Sequence, residues 1–124
     1  MQRIEKADPN ERNESAPAQK SYAVTVEFKL KRESMGYFLE LVRENAATSV
    51  REEPDCRRFD VLVPRDSAQS DTVTLYEHYA DRAAFYFHLA TRHFEEFDRA
   101  TKDMVVTKTV DEFDVDENTK RGIG

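Results

Sequence analysis

The sequence predicts an α+β fold with elements in the order β-α-β-β-α-β. Three observations support this prediction. Segments with apolar residues at every second position alternate with segments that have apolar residues at helical spacing. Turn-forming residues such as proline, aspartate and serine separate these segments. The length of 124 residues suits one domain with its own hydrophobic core.

The first half of the pattern is a strand, a helix and a second strand. The segment "YAVTVEFKL" (22–30) alternates between apolar and mostly polar residues, as a half-buried strand does. Residues 35–53 have apolar side chains at helical spacing, with Ser34 as the expected N-cap and Pro54 directly after the last turn. The segment "RRFDVLVP" (57–64) is expected to form the second strand.

The second half is a hairpin loop, a strand, a helix in two pieces and a last strand. These elements are "RDSAQSD" (65–71), "TVTLYEHYA" (72–80), "RAAFYFHL" (82–89), "RHFEEFDRATKDMV" (92–105) and "TKTVDEFDV" (107–115). Asp81 and Thr91 are the expected N-caps of the two helical pieces, so the second helix is broken between them. The complete pattern is the ferredoxin-like split βαβ fold.

The folded domain is expected to span residues 21–115. Residues 1–20 have no apolar periodicity and are expected to form a flexible N-terminal extension, and residues 116–124 a short C-terminal tail. The net charge of −6 argues against nucleic acid as a partner, because phosphates favour a basic surface. A single cysteine and no long apolar segment predict a cytoplasmic protein with no membrane association.

Several motifs that bind cofactors or carry nucleophiles are absent from the sequence. It contains no glycine-rich phosphate loop, no G-x-S-x-G and no CxxC. With only three glycines, a Rossmann dinucleotide site is excluded. Cys56 has no histidine near it in the sequence and is expected to have a structural role. The sequence therefore shows none of the motifs of a dinucleotide or phosphate-loop site.

Four polar residues lie on predicted apolar faces, where an unpaired polar group costs about 1–3 kcal/mol. They are Asn45 on the first helix, Glu77 on the third strand, and His88 and His93 on either side of the helix break. Each one alone is more simply explained as a structural residue. Together they predict a small-molecule site, because the fold brings these elements around one space between helices and sheet. Nearby aromatic residues are expected first as core, and then as walls of that site: Phe59, Tyr79, Phe85 and Phe94.

The two histidines are five residues apart, so on one continuous helix they would point about 140° apart. A new helix beginning after Thr91 could aim both at one cavity. His93 would then lie in the first turn, where the helix dipole favours a neutral imidazole. An iron site made of both histidines and Glu77 is an alternative. Because the spacing is not that of a ligand pair on one helix, the sequence predicts no metal site.

The segments "EEPDCRRFDVLVP" and "LYEHYADRAAFYFHLATRHFEEF" resemble the antibiotic biosynthesis monooxygenase superfamily. Its hallmarks include an acidic-Gly-x-x-x-Phe-Asp stretch, a "YE-x-Y-x-D" strand end and an "H-x-x-T-x-H" signature. The resemblance covers residues 21–115, and Pro54-Asp55 replaces the usual glycine. It implies a homodimer, the dimeric α+β barrel, in which two ferredoxin-like sheets associate. The positions that match the family are Asn45, Phe59, Asp60, Glu77, His88, Thr91 and His93.

The resemblance implies a cofactor-independent monooxygenase that acts on a small phenolic, quinol or enolisable substrate, with dioxygen as the second substrate. His88 or His93 would be the general base, and Asn45 with the other histidine would stabilise the oxyanion. Glu77 would orient an imidazole. The substrate would also contact aromatic side chains, those of Phe59, Tyr79 and Phe85.

Two other functions remain open at this point. One is an isomerase of a small phosphorylated hydroxy-ketone, of the type that processes autoinducer-2, which begins with the same proton abstraction. A phosphorylated substrate would require a cation at the cavity mouth, and the candidates are Arg57, Arg58, Arg82 and Arg92. The other is a non-catalytic barrel that binds a small molecule. The absence of tryptophan argues against the haem-degrading branch of the superfamily.

Overall fold

A computed structural model describes residues 20–66, residue 68 and residues 71–117. The elements are β1 (Tyr22–Leu30), α1 (Met35–Glu52), β2 (Cys56–Leu62), β3 (Thr72–Tyr79), α2 (Arg82–Leu89), α3 (Arg92–Thr101) and β4 (Val105–Asp114). This order confirms the predicted pattern, including the broken second helix. Most of the expected N-terminal extension and C-terminal tail lies outside the described residues. Within the described ranges, no helix is long and apolar enough to cross a membrane.

The four strands form one antiparallel sheet in the order β2-β3-β1-β4. The first strand is therefore central, and it pairs with β3 on one side and with β4 on the other. This interleaving of the two halves confirms the α+β, ferredoxin-like fold.

The core between the sheet and the helices is rich in aromatic rings. Phe28 of β1 contacts Phe38 of α1 and Phe97 of α3, with ring centroids 5.0 and 6.3 Å apart. Phe38 and Phe97 also contact each other at 5.6 Å, near edge-to-face geometry. Because these three rings join three elements, they fix the position of α3 over the sheet.

The helix ends agree with the predicted caps at two of three positions. The backbone N–H of Ala84 donates to Asp81 Oδ1 at 2.9 Å, and that of Phe94 donates to Thr91 Oγ1 at 3.2 Å. The predicted cap at Ser34 was wrong. Its side chain makes no capping hydrogen bond, because its backbone is already helical within a short 3-10 turn that leads into α1.

The predicted end of α3 at residue 105 was also wrong. The α-helix ends at Thr101 and is followed by a 3-10 turn, Lys102–Met104. The backbone N–H of Lys31 donates to the Met104 carbonyl at 2.9 Å, which ties this turn to the end of β1. The last strand can therefore begin at Val105, two residues earlier than predicted.

The face of the sheet opposite the helices carries mainly polar side chains. Strand pairing places Thr25, Tyr76 and Asp60 side by side on this face, and Phe113 lies on the same face of β4. Thr25, Tyr76 and Asp60 are half-buried, and Phe113 is 49% exposed. Among the described residues, no helix packs on this face.

Candidate active site

A cavity of about 40 Å³ lies between the helices and the sheet. Five of the seven residues predicted for the site line it: Asn45, Phe59, Glu77, Phe85 and His88. A buried water needs about 10–15 Å³ of such space, so the cavity has room for a diatomic molecule or a few waters but not for an aromatic ring. We call it the inner cavity.

Tyr79 lies behind the inner cavity rather than on its wall. Its hydroxyl donates to Glu77 Oε1 at 2.6 Å, and both side chains are buried. Burial raises the pKa of Glu77, and the hydrogen bond from Tyr79 opposes this only in part. The expected contact between Glu77 and an imidazole is therefore replaced by a contact with a phenol.

The carboxylate that contacts the imidazoles belongs to Glu53, the residue directly after α1. Its Oε2 accepts hydrogen bonds from His88 Nδ1 at 2.8 Å and from His93 Nε2 at 2.6 Å. Glu53 and His88 are almost fully buried, whereas the side chain of His93 is 18% exposed. Burial acts to raise the pKa of Glu53, but the hydrogen bonds and charges of both histidines outweigh it and hold the pKa below its usual value.

Glu53 reaches this position because α1 stops one residue before it. Pro54 cannot continue a helix, and the extended backbone of Glu53 (φ −97°, ψ 111°) marks its end. Four residues earlier, Ser49 Oγ donates to the Asn45 carbonyl at 2.8 Å and lies 3.5 Å from His88 Nδ1. Asn45, Ser49 and Glu53 therefore form a buried polar stripe at four-residue spacing along one side of α1.

The break between α2 and α3 explains the unusual spacing of the two histidines. Thr91 caps α3, and its hydroxyl also donates to the carbonyl of His88 at 2.8 Å. The two imidazoles approach one oxygen of Glu53, with ring centroids 5.9 Å apart. The histidines thus converge on Glu53 rather than on one cavity. His88 lines the inner cavity, whereas His93 lines a groove of about 370 Å³ between α1 and α3.

The cation at the inner cavity is Lys108 of β4, which the sequence did not single out. Its Nζ lies 5.7 and 5.8 Å from the ring centroids of Phe28 and Phe94, and 3.8 Å from Asp98 Oδ1. The four arginines proposed for this role bind other groups. Their partners are Ser21 for Arg57, Asp60 for Arg58, Tyr86 for Arg82 and Glu96 for Arg92.

Residues 21–100 match the family model described as antibiotic biosynthesis monooxygenase. The chain belongs to this family. Solved structures of antibiotic biosynthesis monooxygenase family proteins have the same fold. A structure from Bacteroides thetaiotaomicron, described as a candidate antibiotic biosynthesis monooxygenase, is 25% identical with a TM-score of 0.68, and the match covers 78% of this chain and 89% of that chain.

Two further structures support the fold of this antibiotic biosynthesis monooxygenase family member. One, from Nitrosomonas europaea and with the same description, is 24% identical with a TM-score of 0.73, covering 80% of this chain and 93% of that chain. A protein from Pseudomonas aeruginosa is 20% identical with a TM-score of 0.72, covering 81% and 98%. No curated protein matches the sequence.

This member of the antibiotic biosynthesis monooxygenase family has one set of described side chains suited to a metal ion. The ligand atoms of Glu53, His88 and His93 all lie within 4.8 Å of one another. The carboxylate expected from the sequence for such a metal site was Glu77, not Glu53. Glu53 was missed because it follows the helix in the polar run "REEPD", although its four-residue spacing from Ser49 and Asn45 was a usable signal.

Cys56 lies at a third, largely apolar pocket of about 340 Å³ near the end of α1. The thiol is buried, and burial together with the negative charges of Glu53 and Glu77 raises its pKa to about 12. Because a thiol with this pKa is protonated at neutral pH, Cys56 is unsuited to nucleophilic catalysis. This agrees with the structural role expected from the sequence.

Proposed function

We propose that this protein is a cofactor-independent monooxygenase that acts on a small phenolic, quinol or enolisable substrate. The observation that carries the proposal is the hydrogen bond between His88, which lines the inner cavity, and the buried carboxylate of Glu53 behind it. The amide oxygen of Asn45 is buried in the same place without a partner among the described residues. A buried polar group of this kind is suited to a hydrogen bond with a ligand.

His88 is the general base in this scheme. Glu53 holds the proton on Nδ1, which leaves Nε2 as the ring nitrogen that can take a proton from a substrate hydroxyl or an acidic C–H. The imidazolium that forms remains next to the Glu53 carboxylate, which stabilises it. Glu53 therefore takes the orienting role that the sequence had given to Glu77.

The substrate anion then reduces dioxygen directly. An activated methylene group becomes a carbonyl, one oxygen atom enters the substrate, and the other leaves as water with the two hydrogens. The substrate supplies all four electrons, so the reaction requires no flavin or haem. Lys108 is suited to stabilise the anion through its charge. The unpartnered atom of Asn45 is its amide oxygen, which accepts, so Asn45 is suited to bind a substrate hydroxyl rather than the oxyanion expected from the sequence.

In our proposal the inner cavity, which is too small for an aromatic ring, takes dioxygen, and the substrate ring lies at its mouth. Lys108 is 37% exposed on β4 and covers the rings of Phe28 and Phe94. In our proposal, its long side chain swings away to admit the substrate, and its ammonium group then pairs with the anion.

The experiment is oxygen-uptake screening with quinols and polyphenols on the wild type and two histidine variants. His88→Gln removes the base and should lower turnover about 10²–10⁴-fold. His78→Gln is the matched control, because His78 lies on the opposite face of the sheet and should leave turnover unchanged. Equal oxygen uptake by wild type and His88→Gln would contradict the proposal.

Lys108 favours a second candidate, an isomerase of a small phosphorylated hydroxy-ketone. A cation at the cavity suits a phosphate as well as a phenolate. This reaction starts with the same proton abstraction and returns the proton to another carbon. An NMR assay with phosphorylated diketones distinguishes the two, because isomerisation proceeds without oxygen. Ligand binding with no turnover in either assay would instead favour a non-catalytic binding protein.

A further inference from the structure

The hydrogen-bonded cluster behind the inner cavity has the composition of a metal site. It joins one carboxylate and two imidazoles: Glu53 Oε2, His88 Nδ1 and His93 Nε2. Imidazole nitrogen with one carboxylate oxygen is a common donor set for zinc and for iron. The ligands come from two places, the end of α1 and the α2–α3 break, so the fold itself brings them together.

A second, independent observation is the other oxygen of the same carboxylate. Glu53 Oε1 is buried and has no hydrogen-bond partner among the described residues. A buried carboxylate is costly unless its charge is compensated, and two imidazole N–H groups on Oε2 leave Oε1 uncompensated. A cation next to the carboxylate would neutralise the charge and engage this oxygen.

We propose that Glu53, His88 and His93 bind a divalent transition-metal ion such as Zn²⁺. In a tetrahedral site, metal–ligand bonds of about 2.0–2.2 Å place neighbouring ligand atoms about 3.3–3.6 Å apart. The observed separations of 2.8 and 2.6 Å from Glu53 Oε2 then need to widen by about 0.5–1.0 Å. His93, which is partly exposed, has room to make this movement.

The cluster leaves one coordination position for a water molecule. Ser49 Oγ, 3.5 Å from His88 Nδ1, is close enough to hydrogen-bond such a water. Three protein ligands with an open fourth position are typical of zinc sites where the metal exchanges or reacts. The groove outside His93 is lined by three glutamates and Arg51, but Glu52 is paired with Arg51 and Glu96 with Arg92, so Glu44 alone leaves it slightly negative.

Metal binding would change the inner cavity through His88. A metal on Nδ1 requires the lone pair there, so the ring N–H moves to Nε2. The nitrogen proposed above as the base then carries a proton. The metal site itself does not depend on the proposed function. The expected loss of monooxygenase turnover when the metal binds does rest on the proposed function.

The test is a titration of chelator-treated protein with Co²⁺, followed by displacement with Zn²⁺. One equivalent of Co²⁺ should give the visible absorption of a four-coordinate site, and Zn²⁺ should abolish it and raise the melting temperature. Mg²⁺, which prefers oxygen ligands, should do neither. Absence of cobalt absorption at millimolar Co²⁺ would overturn the inference and leave the cluster as a hydrogen-bond network.

Single-residue variants test which side chains bind the metal. His93→Gln and Glu53→Gln should each weaken Co²⁺ binding at least a hundredfold, whereas His78→Gln and Glu77→Gln should retain it. Circular dichroism checks that each variant folds. If Glu53→Gln does not fold, the Co²⁺ affinity of His93→Gln is the deciding measurement, because this partly exposed position tolerates substitution better. Unchanged binding in His93→Gln would overturn the inference.

Failure of the metal site and failure of the proposed function give different results. Oxygen uptake by the metal-free protein with no Co²⁺ binding rejects the metal site alone. One equivalent of bound Co²⁺ with no substrate turnover by the metal-free protein supports the metal site and rejects the proposed function.

Discussion

At the scale of single residues, the site depends on which carboxylate is charged. Glu53 has two histidine partners that lower its pKa, whereas Glu77 has a phenol partner and its pKa is raised by burial. Two buried carboxylates in one core can therefore differ in protonation. Glu53 is suited to orient an imidazole, and Glu77 can carry a proton at a pH where an exposed glutamate is ionised.

Replacement of Glu77 by glutamine should change how stability depends on pH. A raised pKa means that the folded protein binds the proton more tightly than the unfolded chain. This contribution is complete below the ordinary pKa of 4.5 and is lost as pH rises through the raised value. The free energy of unfolding of Glu77→Gln, relative to wild type, should therefore increase from pH 4 to pH 8.

Urea denaturation at a series of pH values measures this difference. His88, Glu53 and Lys108 also contribute to the electrostatic field at Glu77, but they are the same in both proteins. Glutamine retains an oxygen that can accept the Tyr79 hydroxyl, so loss of that hydrogen bond does not confuse the comparison. Parallel stability curves for the two proteins would show that Glu77 titrates normally.

Cys56 should be unreactive in the folded protein. A thiol pKa of about 12, against an ordinary value of 9.0, lowers the thiolate fraction at pH 8 about a thousandfold. Alkylation by iodoacetamide, followed by mass spectrometry, should be at least that much slower in buffer than in concentrated urea. Rapid alkylation of the folded protein would contradict the burial of this residue.

The residues of the site differ in how far the sequence could predict them. Asn45, Glu77 and His88 interrupt regular apolar patterns, so their burial could be read from periodicity, and the structure places them at one cavity. Glu53 continues the four-residue spacing of Asn45 and Ser49, but it lies in a polar run at the end of the predicted helix, where a glutamate is normally exposed. The position of Lys108 depends on the pairing of β4 with β1, which a local pattern does not specify.

At the scale of elements, the break between α2 and α3 determines how the imidazoles of His88 and His93 are oriented. Thr91→Ala removes the hydroxyl that caps α3 and donates to the His88 carbonyl. We expect a loss of about 1 kcal/mol in the free energy of unfolding. Thr91→Ser keeps the hydroxyl and should lose less than half as much. Urea denaturation measures both variants, and equal losses would show that the methyl group, not the cap, matters.

The bounds of an element were predictable from the sequence where local interactions determine them. Alternation and helical spacing located all four strands and three helices, and Asp81 and Thr91 marked their helix starts because an aspartate or threonine cap acts within one turn. The C-terminal end of α3 and the start of β4 were misplaced. These two bounds depend on the hydrogen bond between Lys31 and Met104, which joins residues far apart in the chain.

At the scale of the whole molecule, we propose that the uncovered sheet face forms a homodimer interface. Half-buried Thr25 and Tyr76 and the exposed Phe113 lie on this face. Light scattering at micromolar concentration should give twice the monomer mass. Phe113→Glu should weaken the dimer, whereas Phe87→Glu, an exposed phenylalanine on α2, should not. A monomer mass for the wild type would contradict this.

The pairing of the first strand with the last also has a consequence for the order of folding. Tyr22 of β1 hydrogen-bonds Glu112 of β4, 90 positions away, so the central strand completes its pairing only through a very long loop closure. The hairpin of β2 and β3 can form earlier, since its strands are neighbours in sequence. Lys108 is therefore among the last groups to reach its place, and a refolding chain acquires its buried acids and imidazoles before it acquires the positive charge above them.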